Sequence, residues 1–269
     1  VVLVGLSVLM FLLLIASVTG FLRASRVVAD TGRVGRRAID AAFPLPAETP
    51  EQSGTAHGAF STGSYDITNP GRAGVVQAFD PGGITTVAEA NSLVVEMLPA
   101  VGEFVAHGAA VFRVSEEPES GTQKRILDSI ALGEERTSRQ DPAYALRILV
   151  DIAIKALSPG INDPTTAVQA LDHIEDLLMR LAGRRLPDGV YRDDGGEVRF
   201  LYRTPSWEEY LDLAFTEIRT YGADSPQVVR RLREVLRSLH AAAPAWRIAA
   251  IDEHSRLLEE AVAVATDDR

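Results

Sequence analysis

The sequence predicts an α+β membrane protein in which a transmembrane helix is followed by a small cytoplasmic β-barrel-like domain and an all-helical domain. Three observations lead to this fold class: an uncharged apolar run opens the chain, short β-type runs follow it, and helical periodicity fills the remainder. The predicted boundaries are 1–22 for the transmembrane helix, 23–63 for a juxtamembrane helix and linker, 64–115 for the β-domain and 122–265 for the helical domain.

The opening apolar run predicts the membrane anchor. Residues 1–22 read VVLVGLSVLMFLLLIASVTGFL and hold no charged side chain. A helix of that length spans roughly 30 Å, the thickness of a bilayer core. Arginines follow in residues 23–37 with only Asp30 opposing them, so the positive-inside rule places the rest of the chain in the cytoplasm and the anchor in the cell inner membrane. A buried core helix of a soluble protein is the alternative, although such helices rarely stay uncharged this long.

The next two segments are predicted to be a connection and a small β-domain. Residues 43–63 are rich in Pro, Gly, Ser and Thr and are typical of a linker. Between residues 64 and 114, β-type runs are separated by Gly, Pro and Asn. Two glycine-containing stretches, 74–76 and 101–108, weakly resemble the hairpin ends of lipoyl and biotinyl carrier domains. Those carriers need a lysine at the hairpin tip and the segment has none, so swinging-arm chemistry is excluded and a small barrel is preferred.

Helices are predicted from residue 142 onward. Asp141 before Pro142 is a helix cap followed by a first-position proline. Residues 142–157 are apolar nearly all round, as in buried helices. Further helices are expected at 164–181, 207–221, 227–240 and 244–265, joined by short loops into a bundle.

A rigid corner joins the first two of these helices, and the rest of the predicted fold is organised around it. Ser158, Pro159 and Gly160 stop the first helix, because proline cannot continue it and glycine accepts a left-handed backbone. Asn162, Asp163 and Pro164 start the second through capping and a first-position proline.

The corner also carries a family resemblance. The segment ALSPGINDPTTA resembles the signature of a bacterial membrane-protein family known as domain of unknown function 2254, and preceding residues extend the likeness: Gly133, Arg136, Thr137, Asp141 and 149–153. The resemblance covers most of the chain. It implies a multi-pass membrane region, with helices upstream of residues 1–22, followed by a cytoplasmic domain. It implies no established activity.

Two groups of polar residues are candidate sites. The corner offers many oxygen atoms for a ligand, or helix amides for a phosphate or lipid headgroup, although capping explains Asp163 and Ser158 without one. Its residues are Ser158, Pro159, Gly160, Asn162, Asp163, Pro164, Thr165 and Thr166.

A charged stripe lies on the apolar helix, where burying unpaired charge costs several kcal/mol. The stripe is either an internal ion-pair ladder or the wall of a polar cavity or subunit interface, and consists of Asp141, Arg147, Asp151 and Lys155.

Composition excludes several function classes. The net charge of −10 argues against non-specific nucleic-acid binding. Without cysteine there is no disulfide, thiolate zinc site or cysteine nucleophile. The five histidines lack ligand spacing and no catalytic motif is present, so we predict no metal, no cofactor and no catalytic residue.

Two functions remain open at this point. The first is a homo-oligomeric channel-like or transport-related protein in the lipid bilayer, with the cytoplasmic part as a vestibule or assembly domain. The second is a ligand-sensing or weakly catalytic cytoplasmic domain tethered to the membrane, with its pocket near Asp141, Arg147, Asp151, Asn162 and Asp163. A scaffold for another protein is a third, plainer interpretation.

Overall fold

The strands form two small open sheets. A computed structural model describes Met10 and residues 24–49, 64–138 and 140–267. Its strands are β1 (Tyr65–Thr68), β2 (Gly74–Phe79), β3 (Val95–Met97), β4 (Phe104–Val105), β5 (Ala110–Val114), β6 (Ile130–Gly133), β7 (Val190–Arg192) and β8 (Val198–Tyr202). One sheet has the order β1-β5-β3-β8-β7 and the other the order β4-β2-β6.

The helices divide between the two halves of the molecule. In chain order they are α1 (Ala24–Ala42), α2 (Pro81–Ala90), α3 (Ser120–Leu127), α4 (Pro142–Leu157), α5 (Pro164–Ala182), α6 (Trp207–Gly222), α7 (Pro226–Ala242) and α8 (Ile248–Asp267). A 3₁₀ turn, Ala245–Arg247, precedes α8. Helices α2 and α3 pack in the sheet half, whereas the others form a bundle around α4 and α5.

Each half has its own apolar core. In the sheet half, alternate strand residues such as Val76, Val95 and Phe112 point inward and are fully buried. In the bundle, Leu146 and Leu149 of α4 face the apolar stripe of α5, with α1 lying across both helices. A helix surrounded on several sides must be apolar on several sides, which is why α4 lacks a clear polar face.

The β7–β8 hairpin joins the halves. It leaves the bundle between α5 and α6, and β8 pairs in parallel with β3, placing Val95 opposite Phe200. Phe200 is therefore buried in the core of the sheet half. The hairpin therefore ties the bundle to the five-stranded sheet.

The predicted fold class is wrong. The strands form open sheets of five and three strands rather than the expected barrel-like domain, and the later part of the chain is not all-helical because it supplies β6, β7 and β8. Sequence reasoning missed the parallel β3–β8 pair because β3 and β8 are separated by about 100 residues, and no local pattern indicates such a pairing.

The membrane part of the prediction falls mainly on other residues. Residues 1–22, predicted as the transmembrane helix, lie outside the described residues except for Met10. In the described part of the chain, no helix combines the length and apolar composition needed to cross a bilayer.

Candidate functional site

A cleft of about 510 Å³ opens along the junction of the two halves. Its walls come from the end of α1, the end of β2, the loop before β4, the segment leading into α4, and the chain from β8 into α6. Both halves therefore contribute, as is common for ligand sites that lie between structural units. The aromatic and charged side chains that line the cleft include Phe79, Glu103, Arg136, Asp141, Tyr191, Tyr202, Arg203, Glu209 and Tyr210.

An ion pair lines the cleft. Asp141 is only 5% exposed and caps α4 by accepting the backbone N–H of Tyr144 at 3.1 Å. Its second oxygen, Oδ2, accepts Nε–H of Arg136 at 2.5 Å. The guanidinium carbon lies 5.2 Å from the centre of the Tyr144 ring, a cation–π distance. The carboxylate is thus satisfied on both oxygens, as a buried charge requires.

Gly102 allows this pair to occupy the cleft. The residue has φ +89°, in the left-handed region that glycine adopts readily. A Cβ at this position would lie 2.3 Å from Nε of Arg136 and 2.5 Å from Oδ2 of Asp141. The backbone of the sheet half can therefore approach the ion pair of the bundle only because no side chain stands between them.

Aromatic rings form one wall of the cleft. The rings of Phe79 and Tyr202 lie 4.9 Å apart, and Tyr191 lies 5.8 Å from Tyr202. Burial raises the pKa of both tyrosines, so their hydroxyl groups stay protonated at neutral pH. Burial likewise raises the pKa of Tyr210, with the charge of Asp141 as the second cause. The wall thus combines ring faces with neutral hydroxyl groups.

A second charged group lies at the rim. Arg203 donates to Glu103 and to Glu209, at 3.3 Å in each case. All three side chains are about half exposed, so their ion pairs are solvent-screened and contribute little stability. Glu103 belongs to the sheet half and Glu209 to α6. Arg203 consequently links the two sides of the cleft through weak ion pairs that water or a ligand can replace.

Gln140 fixes the segment that carries Arg136 and Asp141. Its side-chain oxygen accepts the backbone N–H of Phe79 at 3.0 Å, and its amide donates to the carbonyl of the same residue at 3.2 Å. The side-chain amide thus pairs with both backbone groups of Phe79, as the backbone of an adjacent strand would. The start of α4 is held against the end of β2 as a result.

The structure separates the predicted charged stripe. Asp141 lies in the cleft, whereas Arg147 is on another side of α4, bound to Asp151 and to Glu217 of α6. The hydrogen bonds to Glu217 outweigh burial and raise the pKa of Arg147. Lys155 is exposed at the far end of the helix. The four residues therefore do not form one group.

The predicted corner lies at the opposite end of α4 from the cleft, about 24 Å away along the helix axis. Asp163 caps α5, accepting the N–H of Thr166 at 3.1 Å and its hydroxyl at 2.5 Å. These bonds lower the pKa of Asp163. The left-handed residue is Asn162, with φ +47°, and not Gly160 as the sequence suggested. Asparagine tolerates that conformation because its side chain is short and polar.

The remaining members of the corner are mostly exposed. Ser158 ends α4 and its hydroxyl donates to the carbonyl of Lys155 at 2.7 Å. Pro159, Gly160 and Thr165 are exposed, whereas Pro164 and Thr166 are partly buried. A ligand at this corner stays a prediction, since its polar side chains already serve the two helix ends.

Most cleft residues were not among the sequence candidates. Tyr202, Arg203 and Glu209 follow the hairpin and meet Glu103 only after β8 pairs with β3. One sequence feature pointed to the cleft. Residues 133–141 are mostly charged or polar and directly precede the most apolar helix of the bundle. Asp141 was the one candidate that the structure places in the cleft.

Fold and site together define an α+β protein with a ligand-sized cleft between a sheet half and a helical bundle. The chain belongs to the family described as "Predicted membrane protein (DUF2254)", whose model matches residues 1–238. The resemblance inferred from the corner motif is thereby confirmed. The family is thus described as predicted membrane proteins of unknown function.

Three similar curated proteins carry the name "uncharacterized protein". Two come from Mycobacterium tuberculosis strains H37Rv and CDC 1551, and one from Mycobacterium bovis. Each is 36% identical over 169 residues, which cover 61% of this chain and 32% of the relative. The chain thus matches about a third of the length of these relatives. No solved structure matches it.

Proposed function

We propose that the described part of this membrane-family protein is a ligand-sensing module, with the cleft at the junction as its binding site. The observation that carries the proposal is the convergence of an aromatic wall, a buried ion pair and a rim of exchangeable charges on a cleft of about 510 Å³. Known small-molecule sites have this size and this mixture of apolar lining with a few placed polar groups.

The position of the cleft supports sensing over storage or catalysis. A molecule in it touches the sheet half at Phe79 and Glu103 and the bundle at Asp141 and Tyr210. Binding would therefore favour one relative placement of the halves, which is what a ligand must do to shift a conformational equilibrium. Helix α1 ends at the cleft and packs along α4 and α5, so it links the site with the rest of the bundle.

A thermal-shift screen of the full chain tests the proposal, with nucleotides, lipids and divalent ions as probe classes. A ligand at about 100 times its Kd raises Tm by roughly 5–10 °C for a protein of this size. Tyr202→Leu should abolish the shift, because it removes the ring that faces Phe79. Tyr221→Leu is the matched control, since Tyr221 is 54% exposed and outside the cleft.

Each variant is compared with its own ligand-free Tm, so a loss of stability in Tyr202→Leu does not mimic a loss of binding. Absence of a shift with every probe in the intact protein would contradict the proposal. So would a shift of equal size in both tyrosine variants.

The channel-like, homo-oligomeric function is the second candidate. It is compatible with the family description of a predicted membrane protein, and an acidic vestibule would attract cations. In that case the cleft would regulate the assembly. Mass measurement of the full chain in mild detergent tests it: a defined oligomer supports the hypothesis and a monomer contradicts it.

A further inference from the structure

The hydrogen-bonding capacity left in the cleft indicates the chemistry of its ligand. Its three carboxylates are already occupied by the protein. Both oxygens of Asp141 accept, from Arg136 and from the backbone of Tyr144. Glu103 accepts from the backbone of Ala100 at 3.0 Å and from Arg203. Each oxygen of these carboxylates therefore already has a donor, which reduces its attraction for a cationic ligand.

Glu209 follows the same pattern. One of its oxygens accepts the backbone N–H of Ser206 at 2.9 Å, completing the capping box of α6, and the other accepts from Arg203. Removing the first bond would uncap the helix. The acidic side chains of the cleft thus stabilise the fold, and their existing hydrogen bonds make them weak candidates for binding a ligand.

Arg136 differs from these carboxylates. Only its Nε–H is bonded, to Asp141, and within the described residues its two terminal NH₂ groups have no protein acceptor. The side chain is 30% exposed toward the cleft, while its face is held by the Tyr144 ring. A guanidinium fixed in this way presents a pair of parallel donors, the arrangement that recognises carboxylate and phosphate oxygens.

The aromatic wall supplies the second half of the recognition. Phe79 and Tyr202 line the cleft together with Tyr191, and their rings are held by mutual contacts of 4.9 and 5.8 Å. Ring faces favour offset or edge contacts with another flat ring. The same cleft contains Arg136, so a single small molecule can meet both features.

We propose that the ligand of the cleft is a planar ring bearing an oxyanion, with the oxyanion on the terminal nitrogens of Arg136 and the ring against Phe79 and Tyr202. This inference rests on the proposed function, because it specifies the ligand class of the same site. The oxyanion is a carboxylate or a phosphate group, which share the acceptor geometry that a guanidinium recognises.

Four small probes separate the contributions of charge and ring. Benzoate, benzamide and benzylammonium share one ring and carry negative, neutral and positive charge, whereas acetate carries the negative charge without a ring. Phenyl phosphate, beside benzoate, distinguishes the two oxyanions. Ligand-observed NMR titrations of the full chain should show benzoate or phenyl phosphate binding at least about tenfold more tightly than benzamide, benzylammonium or acetate.

Arg136→Lys tests the assignment of the anion. Lysine keeps the positive charge beside Asp141 but lacks the paired donors, so we expect binding of the aromatic anion to weaken by about tenfold. Arg199→Lys is the matched control. Arg199 holds Asp193, whose side chain is 6% exposed, through the same Nε–Oδ2 contact at 2.7 Å. The side chain of Arg199 is 20% exposed and lies outside the cleft. That variant should bind the probe unchanged.

The outcomes distinguish the two proposals. Preference for benzylammonium or benzamide, lost in Tyr202→Leu, would overturn the oxyanion inference while supporting a ligand-binding cleft. Equal weakening by both arginine variants would also overturn it, because the effect would then not come from the cleft. Circular dichroism shows whether Arg136→Lys folds. If it does not, the order of probe affinities for the unaltered chain tests the oxyanion inference. Failure of all probes, together with a blank thermal-shift screen, would contradict both proposals.

Discussion

At the scale of single residues, Gly102 determines whether the two halves can meet around the ion pair of the cleft. Its backbone N–H donates to the carbonyl of Val76 at 2.8 Å, which ties the loop to β2. The ion pair of Arg136 and Asp141 fills the space where a side chain would otherwise stand. The residue therefore combines a left-handed backbone with a close contact between the halves.

Gly102→Ala should destabilise the protein more than Gly108→Ala. Both residues have positive φ, +89° and +77°, so each variant loses about 1–2 kcal/mol from backbone strain. A Cβ at Gly108 meets nothing within 4 Å, whereas at Gly102 it collides with the buried ion pair. We expect an additional loss of about 2 kcal/mol for Gly102→Ala. Urea unfolding checks this, and equal losses would contradict the packing described.

His254 is a buried histidine between α6 and α8. It is 4% exposed, its Nδ1 accepts from Arg219 at 3.2 Å, and its Nε2 lies 3.4 Å from Asp212. Burial lowers its pKa below the usual 6.5, with Asp212 and Glu253 acting in the opposite direction and Arg219 in the same one. The folded protein thus prefers the neutral ring.

Acid should therefore weaken the contact of α6 with α8. Below pH 6.5 the unfolded chain binds a proton that the folded chain does not, so the free energy of unfolding falls from that pH toward the lowered pKa of the folded state. His254→Gln should show a shallower loss between about pH 7 and pH 5. His240→Gln, at a position where half of the side chain is exposed, is the control variant. A steeper slope in His254→Gln would contradict this.

At the scale of elements, the corner between α4 and α5 shows what the sequence reveals directly. Its proline and capping residues stand next to each other in the chain, so the two helix ends and the turn could be predicted within a few residues. Gly160 and Asn162 could not be told apart as the left-handed residue, because both types adopt that conformation.

Replacing the cap of α5 should cost more than a similar change at α7. Asp163→Ala removes the bond to the N–H of Thr166, for a loss of about 1 kcal/mol. Ser225 stands at the same position of α7 but its side chain makes no capping bond. Ser225→Ala should therefore cost only a few tenths of a kcal/mol, roughly. Chemical denaturation compares the two, and equal effects would show that the Asp163 cap contributes nothing of its own.

At the scale of the whole molecule, the sequence predicted the bundle better than the site. Helices α4 to α8 follow local periodicity and caps, which act over a few residues. The cleft depends on contacts between distant segments, such as Glu103 with Arg203 and Gln140 with Phe79. Neither charge nor spacing along the chain indicates these pairs. Asp141 was a candidate as a helix cap and as a member of the charged stripe.

The separation of cleft and corner gives the account its most direct test. Both are polar features at the two ends of α4, but only the cleft combines a cavity with contacts from both halves. Hydrogen–deuterium exchange of the full chain, with and without benzoate or a ligand from the thermal-shift screen, reports on both places in one experiment. We predict slower exchange in residues 100–103, 134–141 and 202–210, with residues 158–164 unchanged. Protection confined to residues 158–164, or absent from the cleft while the ligand is bound, would contradict the central claim.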